Sequence, residues 1–193
     1  MTHAFDKDYW ESHWQEANGG ELAANPYVAR ETANLAPGTA LDAGCGEGAE
    51  AIWLATRGWV VTAADISTAV LARAASRAGP GGVQWVEADL SVWEPDERFD
   101  LVMTHYAHAA LPQLMLYERL AGWVAPGGTL LIVGHGPAVT AASVTEVLDD
   151  ATWDIVTAEE PSRSVADRTG RTVQLDDVVV RATRHSFVTE ENC

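Results

Sequence analysis

Glycines stand at 44, 46 and 48, and a carboxylate follows seventeen residues later at Asp65, at the end of the apolar run Val60-Val61-Thr62-Ala63-Ala64. Glycine lacks a Cβ, so a loop built on it can turn tightly and let its backbone approach a bound molecule. A carboxylate at the tip of the next strand can accept both hydroxyls of a ribose. The pattern therefore predicts a site for a nucleoside-bearing cofactor. Asp89 closes a third apolar run, Val83 to Leu90, where it could accept from an adenine amine while Leu90 packs on the ring. Alternatively, Asp65 caps the helix beginning near Ser67 and Asp89 caps a surface turn. A fourth run ends in Thr104-His105-Tyr106-Ala107-His108 and a fifth in His135, so imidazoles and a phenol gather where the reacting group would lie. His105 and His135 are the best placed general bases, with Tyr106 beside them. Three imidazoles could also ligate a metal, but no cysteine or carboxylate joins them at ligand spacing, and no metal is expected. Cys45, flanked by glycines, is expected to be a small structural residue rather than a nucleophile.

These residues need elements to position them. Strands are expected at 40–43, 59–64, 83–87, 99–104 and 129–133. Helices are expected at about 48–57, 67–78 and 112–124 between them, with Gly79 to Gly82 and Pro126-Gly127-Gly128 as turns. Strands alternating with helices, and strands apolar throughout, imply a mainly parallel sheet covered on both faces. After Gly136 the pattern changes to a helix at 141–150 and two strands at 153–157 and 175–182, able to pair antiparallel at a sheet edge. Their polar connection carries Arg163, Arg168 and Arg171, either an ordinary solvated loop or a receiver for an anionic substrate. Ahead of the sheet, Phe5, Tyr9, Trp10 and Trp14 stripe a short helix over 5–17, and a second helix is expected over Pro26 to Leu35. The stripe either packs on the sheet or forms a lid.

Composition narrows the function. The 193 residues suit one domain, residues 1–193, with a helical cap (1–36), a cofactor-binding core (37–135) and a C-terminal part (136–193). A net charge of −16 works against nucleic acid or an anionic membrane as partner. Lys7 is the one lysine and precedes every glycine-rich stretch, which removes a G-x-x-x-x-G-K phosphate loop and a Schiff-base lysine. No signal-peptide layout, spanning run or disulfide framework is legible, so a cytoplasmic monomer or homodimer acting on a small molecule is expected.

Taken together, Leu41-Asp42-x-Gly44-Cys45-Gly46-Glu47-Gly48, Asp65-Ile66-Ser67, Ala88-Asp89-Leu90, Phe99-Asp100-Leu101-Val102 and Ala125-Pro126-Gly127-Gly128-Thr129 resemble the class I S-adenosylmethionine-dependent methyltransferases. Asn25-Pro26 and the run from Glu50 to Trp59 are similar to small bacterial members of thiopurine and tellurite type. The resemblance implies a Rossmann-like three-layer α/β sandwich whose seven-stranded, mainly parallel sheet has an antiparallel last strand. It also implies S-adenosyl-L-methionine as cofactor. Gly44, Cys45 and Gly46 would then lie under its methionine part, with Asp42 organising the loop. Asp65 would take the ribose hydroxyls and Ile66 the adenine face, with Asp89 and Leu90 on the adenine edge. Thr104 and His105 would border the methyl group, and Trp14 would cover the methionine end. Gly44-x-Gly46-x-x-Ala49 also satisfies a dinucleotide fingerprint, so an NAD-linked oxidoreductase stays open, as does a non-catalytic cofactor-binding protein.

Overall fold

The computed structural model describes residues 5–16, 23–79, 81–136, 139–166 and 171–186. Pro80, Arg168, Cys193 and His3 lie outside them, and so do Asn18, Gly19 and Gly20, whose sequence predicts an end to the first helix. The elements run α1 (Lys7–Glu16), α2 (Pro26–Thr32), β1 (Thr39–Ala43), α3 (Ala49–Ala55), β2 (Val60–Asp65), α4 (Thr68–Ala78), β3 (Val83–Glu87) and β4 (Phe99–His105). Next come α5 (Gln113–Gly122), β5 (Val124–His135), α6 (Ala141–Glu146), β6 (Trp153–Glu159), β7 (Ser162–Ala166) and β8 (Thr172–Arg184).

The sheet has the order β3-β2-β1-β4-β5-β8-β6. β1 to β5 pair in parallel, and β8 runs antiparallel between β5 and β6. The mainly parallel sheet with an antiparallel last strand is thus as expected, with one addition. β7, inside the stretch read as a polar connection, pairs with the first half of β8, from Ser162 opposite Asp176 to Ala166 opposite Thr172, and makes the sheet eight-stranded. That half of β8 is largely exposed, so it carries none of the apolar signal that marks a buried strand. The Pro126 to Gly128 turn also differs. It lies inside β5 as a wide bulge, with Phe99 opposite Val124 and Leu101 already opposite Thr129.

Alternation along the strands divides the core into two layers. Ala40, Val61, Ala63, Leu101, Met103, Leu131 and Val133 pack with Val28 of α2, Ala51 and Leu54 of α3 and Leu71 of α4. Leu41, Ala43, Val102, Leu130, Ile132 and Val180 pack on the other face with Leu116 and Leu120 of α5 and Val144 of α6. Burying each large apolar side chain contributes about 1.5–3 kcal/mol, so a strand filled on both faces must be apolar throughout. No side chain of α1 belongs to either cluster. Parallel strands also end together, which brings Gly44, Asp65, Asp89, His105 and His135 to one rim.

Candidate functional site

A cavity of about 670 Å³ opens along that rim. Its floor is the loop after β1. There Gly44 and Cys45 both donate to the carbonyl of Ala64, at 2.8 and 3.0 Å, and Gly46 N donates to Asp65 Oδ2 at 2.9 Å. Gly44 has φ +76°, and a Cβ on it would come 2.3 Å from the Cβ of Ala107, so only glycine lets the two loops meet. Gly46, at φ +51°, lies under Trp14, whose ring atoms would be 3.0–3.1 Å from a Cβ there.

The roof is α1. Phe5, Tyr9, Trp10, His13 and Trp14 line the cavity from this side. α1 is held mainly to α4: Thr68 N and Oγ1 donate to Glu11 Oε1 at 2.9 and 3.0 Å, and Arg73 Nη2 donates to the carbonyl of Trp14 at 2.9 Å. Lys7 pairs with Glu87 at the end of β3. The aromatic stripe therefore covers a cavity instead of packing on strands.

Five carboxylates line the walls, Asp42, Glu47, Glu50, Asp65 and Asp89, and no lysine or arginine does among the described residues. Glu47 is paired from outside by Arg77 at 3.1 Å. Asp42, Glu50 and Asp65 have no such cation among the described residues. Burial pushes all three carboxyl groups above the usual carboxylate range, and the neighbouring charges of Glu50 and Asp65 push Asp42 further. Asp42 Oδ2 is buried without a hydrogen-bond partner. Three carboxyl groups so close together, one of them with an unpartnered oxygen, favour a cation or several donors. Asp65 does not cap α4; Ser67 does, with Oγ accepting from Val70 N at 3.2 Å, while Asp65 Oδ1 accepts from Ser67 N at 2.9 Å. Asp89 Oδ1 accepts from Ser91 N and Oγ, at 2.9 and 2.6 Å, as a turn-capping carboxylate does, and Asp89 also lines the cavity.

The structure brings Trp14, Asp42, Gly44, Cys45, Gly46, Asp65, Ile66, Asp89, Leu90, His105, Tyr106 and His135 to this one cavity. Thr104 is the exception. Its side chain is 1% exposed and donates to the carbonyl of Ala43 at 2.9 Å, because neighbouring residues of a strand face opposite ways. The Cys45 thiol is buried and pushed well up by burial, as an inert structural cysteine would be. Both ring nitrogens of His105 are buried and unbonded, and burial pushes its pKa down to about 3. Burial thus keeps His105 neutral and makes it a weak proton acceptor. The reading of Arg163 is corrected: its Nε pairs with the fully buried Asp177 and its Nη2 donates to Tyr106 Oη at 2.9 Å, so its charge is matched inside the protein.

Tyr106 is the one non-glycine residue described with positive φ, at 56°. Its hydroxyl donates to Asp177 Oδ1 at 2.8 Å and accepts from Asn25 Nδ2 at 3.2 Å, and its pKa is pushed up to about 12, mainly by burial. Asn25 N in turn donates to Glu50 Oε1 at 2.9 Å. This network, and the placement of Glu47 and Glu50 on the cavity wall, escaped the sequence. An acid beside the apolar half of β8 was the available signal for Asp177. No group of three or more histidines, cysteines or carboxylates is placed to hold a metal among the described residues.

Residues 40–128 match the family model described as "Methyltransferase domain". This stretch is a class I S-adenosylmethionine-dependent methyltransferase domain. An uncharacterised methyltransferase of Mycobacterium tuberculosis is 42% identical over 95 residues, 48% of each protein. The chain spans about half the length of this relative. A trans-aconitate 2-methyltransferase of Streptomyces avermitilis is 30% identical over 170 residues, 82% of this chain and 56% of that one. The magnesium protoporphyrin IX methyltransferase of Synechocystis, solved with S-adenosylmethionine bound, superposes with a TM-score of 0.65 at 17% identity, over 95% of this chain and 99% of that one. The cofactor of the family is S-adenosyl-L-methionine rather than a nicotinamide nucleotide. Among the described residues no helix is long and apolar enough to cross a membrane.

Proposed function

We propose that the protein transfers a methyl group from S-adenosylmethionine to a small-molecule nucleophile. The observation that carries this reading is the trio Asp42, Glu50 and Asp65 around the glycine loop, in a cavity that no lysine or arginine lines among the described residues. Asp42 and Glu50 suit an ammonium group beside Gly44 and Gly46. Asp65, oriented by the backbone N–H groups of Gly46 and Ser67, suits the ribose hydroxyls. Ile66 and Leu90 supply apolar faces for the adenine, and Asp89 Oδ2 an acceptor for its amine. Trp14 closes the methionine end.

When bound, S-adenosylmethionine supplies an electrophilic sulfonium methyl that an in-line lone pair can take, leaving S-adenosylhomocysteine. The protein's share is placement, for which effective molarities of about 10⁵–10⁸ M are attainable. Aromatic faces over a cation add about 0.5–2 kcal/mol. Phe5, Tyr106, His105, His108 and His135 bound the acceptor side. No lysine or arginine lines that side among the described residues, and the anionic acceptor implied by the streptomycete relative's name is not carried over. The roofed cavity and the net charge of −16 support a small acceptor in place of nucleic acid or membrane, in a cytoplasmic enzyme acting as a monomer or homodimer.

Calorimetry with S-adenosylmethionine, S-adenosylhomocysteine and NADH tests the cofactor. Binding of the first two is expected, and binding of NADH alone overturns the reading. Mass spectrometry over a panel of thiol, amine, hydroxyl and chalcogen acceptors tests turnover, and no methylated product from any of them removes the catalytic claim.

A further inference from the structure

Four imidazoles line the cavity, those of His13, His105, His108 and His135. Only His108 has a side-chain partner that fixes its proton among the described residues. Its Nδ1 lies 2.6 Å from Gln113 Oε1, at the start of α5. Gln113 Nε2 lies 2.9 Å from the carbonyl oxygen of Ala107. A carbonyl oxygen accepts and never donates, so the Gln113 atom facing Ala107 has to be the amide nitrogen. The atom facing His108 is then the amide oxygen, another pure acceptor. A neutral His108 must therefore carry its proton on Nδ1 and its lone pair on Nε2. Gln113 stands outside the cavity wall while the His108 ring is part of it, and Phe5 stacks on that ring at 4.9 Å and 20°, fixing its plane.

We infer that His108 is the general base of the reaction, with Gln113 as the residue that orients it and sets its tautomer, and that the acceptor is a nucleophile carrying a proton to be removed. This rests on the methyltransferase reading above. As the acceptor's lone pair bonds to the methyl carbon and the carbon–sulfur pair stays on sulfur, the acceptor's proton passes to His108 Nε2. The imidazolium so formed keeps its Nδ1–H on Gln113 Oε1 and later yields the new proton to water. The rival groups fare worse. His105 is neutral and has no orienting acceptor, and the Tyr106 hydroxyl already gives its proton to Asp177. His135 makes ring contacts with Tyr106 and His108 and no hydrogen bond among the described residues.

The tautomer can be read without turnover, by ¹⁵N NMR of the full chain labelled at histidine, with His108→Gln assigning the signal. Wild type is expected to show His108 protonated on Nδ1, and Gln113→Leu to lose that preference; an Nε2-protonated His108 in wild type overturns the inference. Benzenethiol, benzylamine and phenol then serve as acceptors suited to an aromatic-lined wall. His108→Gln is expected to lower kcat by about 10²-fold or more, and Gln113→Leu by about tenfold, with the KM for S-adenosylmethionine within about twofold of wild type. An active wild type with an equally active His108→Gln overturns the base assignment alone. A wild type that binds S-adenosylhomocysteine but methylates none of the three overturns the catalytic reading on which it stands.

Discussion

The hydroxyl of Tyr106 donates to the carboxylate of Asp177 at 2.8 Å, joining the end of β4 to a residue 71 positions later that has no exposure to solvent. Asp177 also accepts from Tyr27 Oη at 3.1 Å and pairs with Arg163, so three donors converge on one buried carboxylate. Removing one member of a buried, hydrogen-bonded pair costs about 3–5 kcal/mol. Asp177→Ala is expected to lose stability on that scale in urea unfolding. A loss below about 1 kcal/mol would show that the network contributes little to stability.

Glu50→Gln should separate stability from binding. Burial raises the Glu50 pKa in the fold above its ordinary 4.5. A carboxyl group with a raised folded pKa contributes stability below the unfolded value, and that contribution is lost as pH rises through the folded value. At pH 7 the ligand-free wild type therefore carries a cost that glutamine removes, while glutamine can still accept from Asn25 N. The variant should melt about 2–4 °C higher at pH 7, corresponding to about 1 kcal/mol, with the advantage gone below about pH 4. Its affinity for S-adenosylmethionine should fall about tenfold, one lost charge contact being worth about 1.5 kcal/mol or more.

Gly46→Ala tests the contact between floor and roof. A non-glycine residue at positive φ costs about 1 kcal/mol, and the new methyl group would press on Trp14. Calorimetry is expected to show S-adenosylhomocysteine binding weakened at least tenfold, ~1.4 kcal/mol. Gly81→Ala, at φ +92° with open space around it, should lose similar stability and keep its affinity. Equal affinities for the two variants would remove Trp14 from the cofactor site.

His105→Ala should leave cofactor binding near wild type and lower kcat about tenfold, the worth of one neutral hydrogen bond of ~1.4 kcal/mol. Unchanged kcat in steady-state assays would take His105 out of the reaction.

Much of the rim was legible because parallel strands announce their ends: an apolar run stops, and a glycine or carboxylate follows. β3 was expected at 83–87 and is found at Val83–Glu87. What escaped depends on distance or on direction. Thr104 and His105 are neighbours in sequence, yet one turns to Ala43 and the other to the cavity, and an apolar run does not say which. β7 is a partly exposed hairpin strand of Ser, Arg, Val and Ala with no period to detect. Asp177 stands beside Asp176 and reads as solvated until Tyr27, Tyr106 and Arg163 are brought to it. The tautomer of His108 needed a carbonyl that no spacing identifies.

None of the aromatic side chains of α1 helps to hold the two layers of helices on the sheet, although they form the roof over the reacting groups. The cover of the cavity and the integrity of the scaffold thus rest on separate stretches of chain, so exchanging one of those rings for another is expected to reshape the cover while the interior stays as it was.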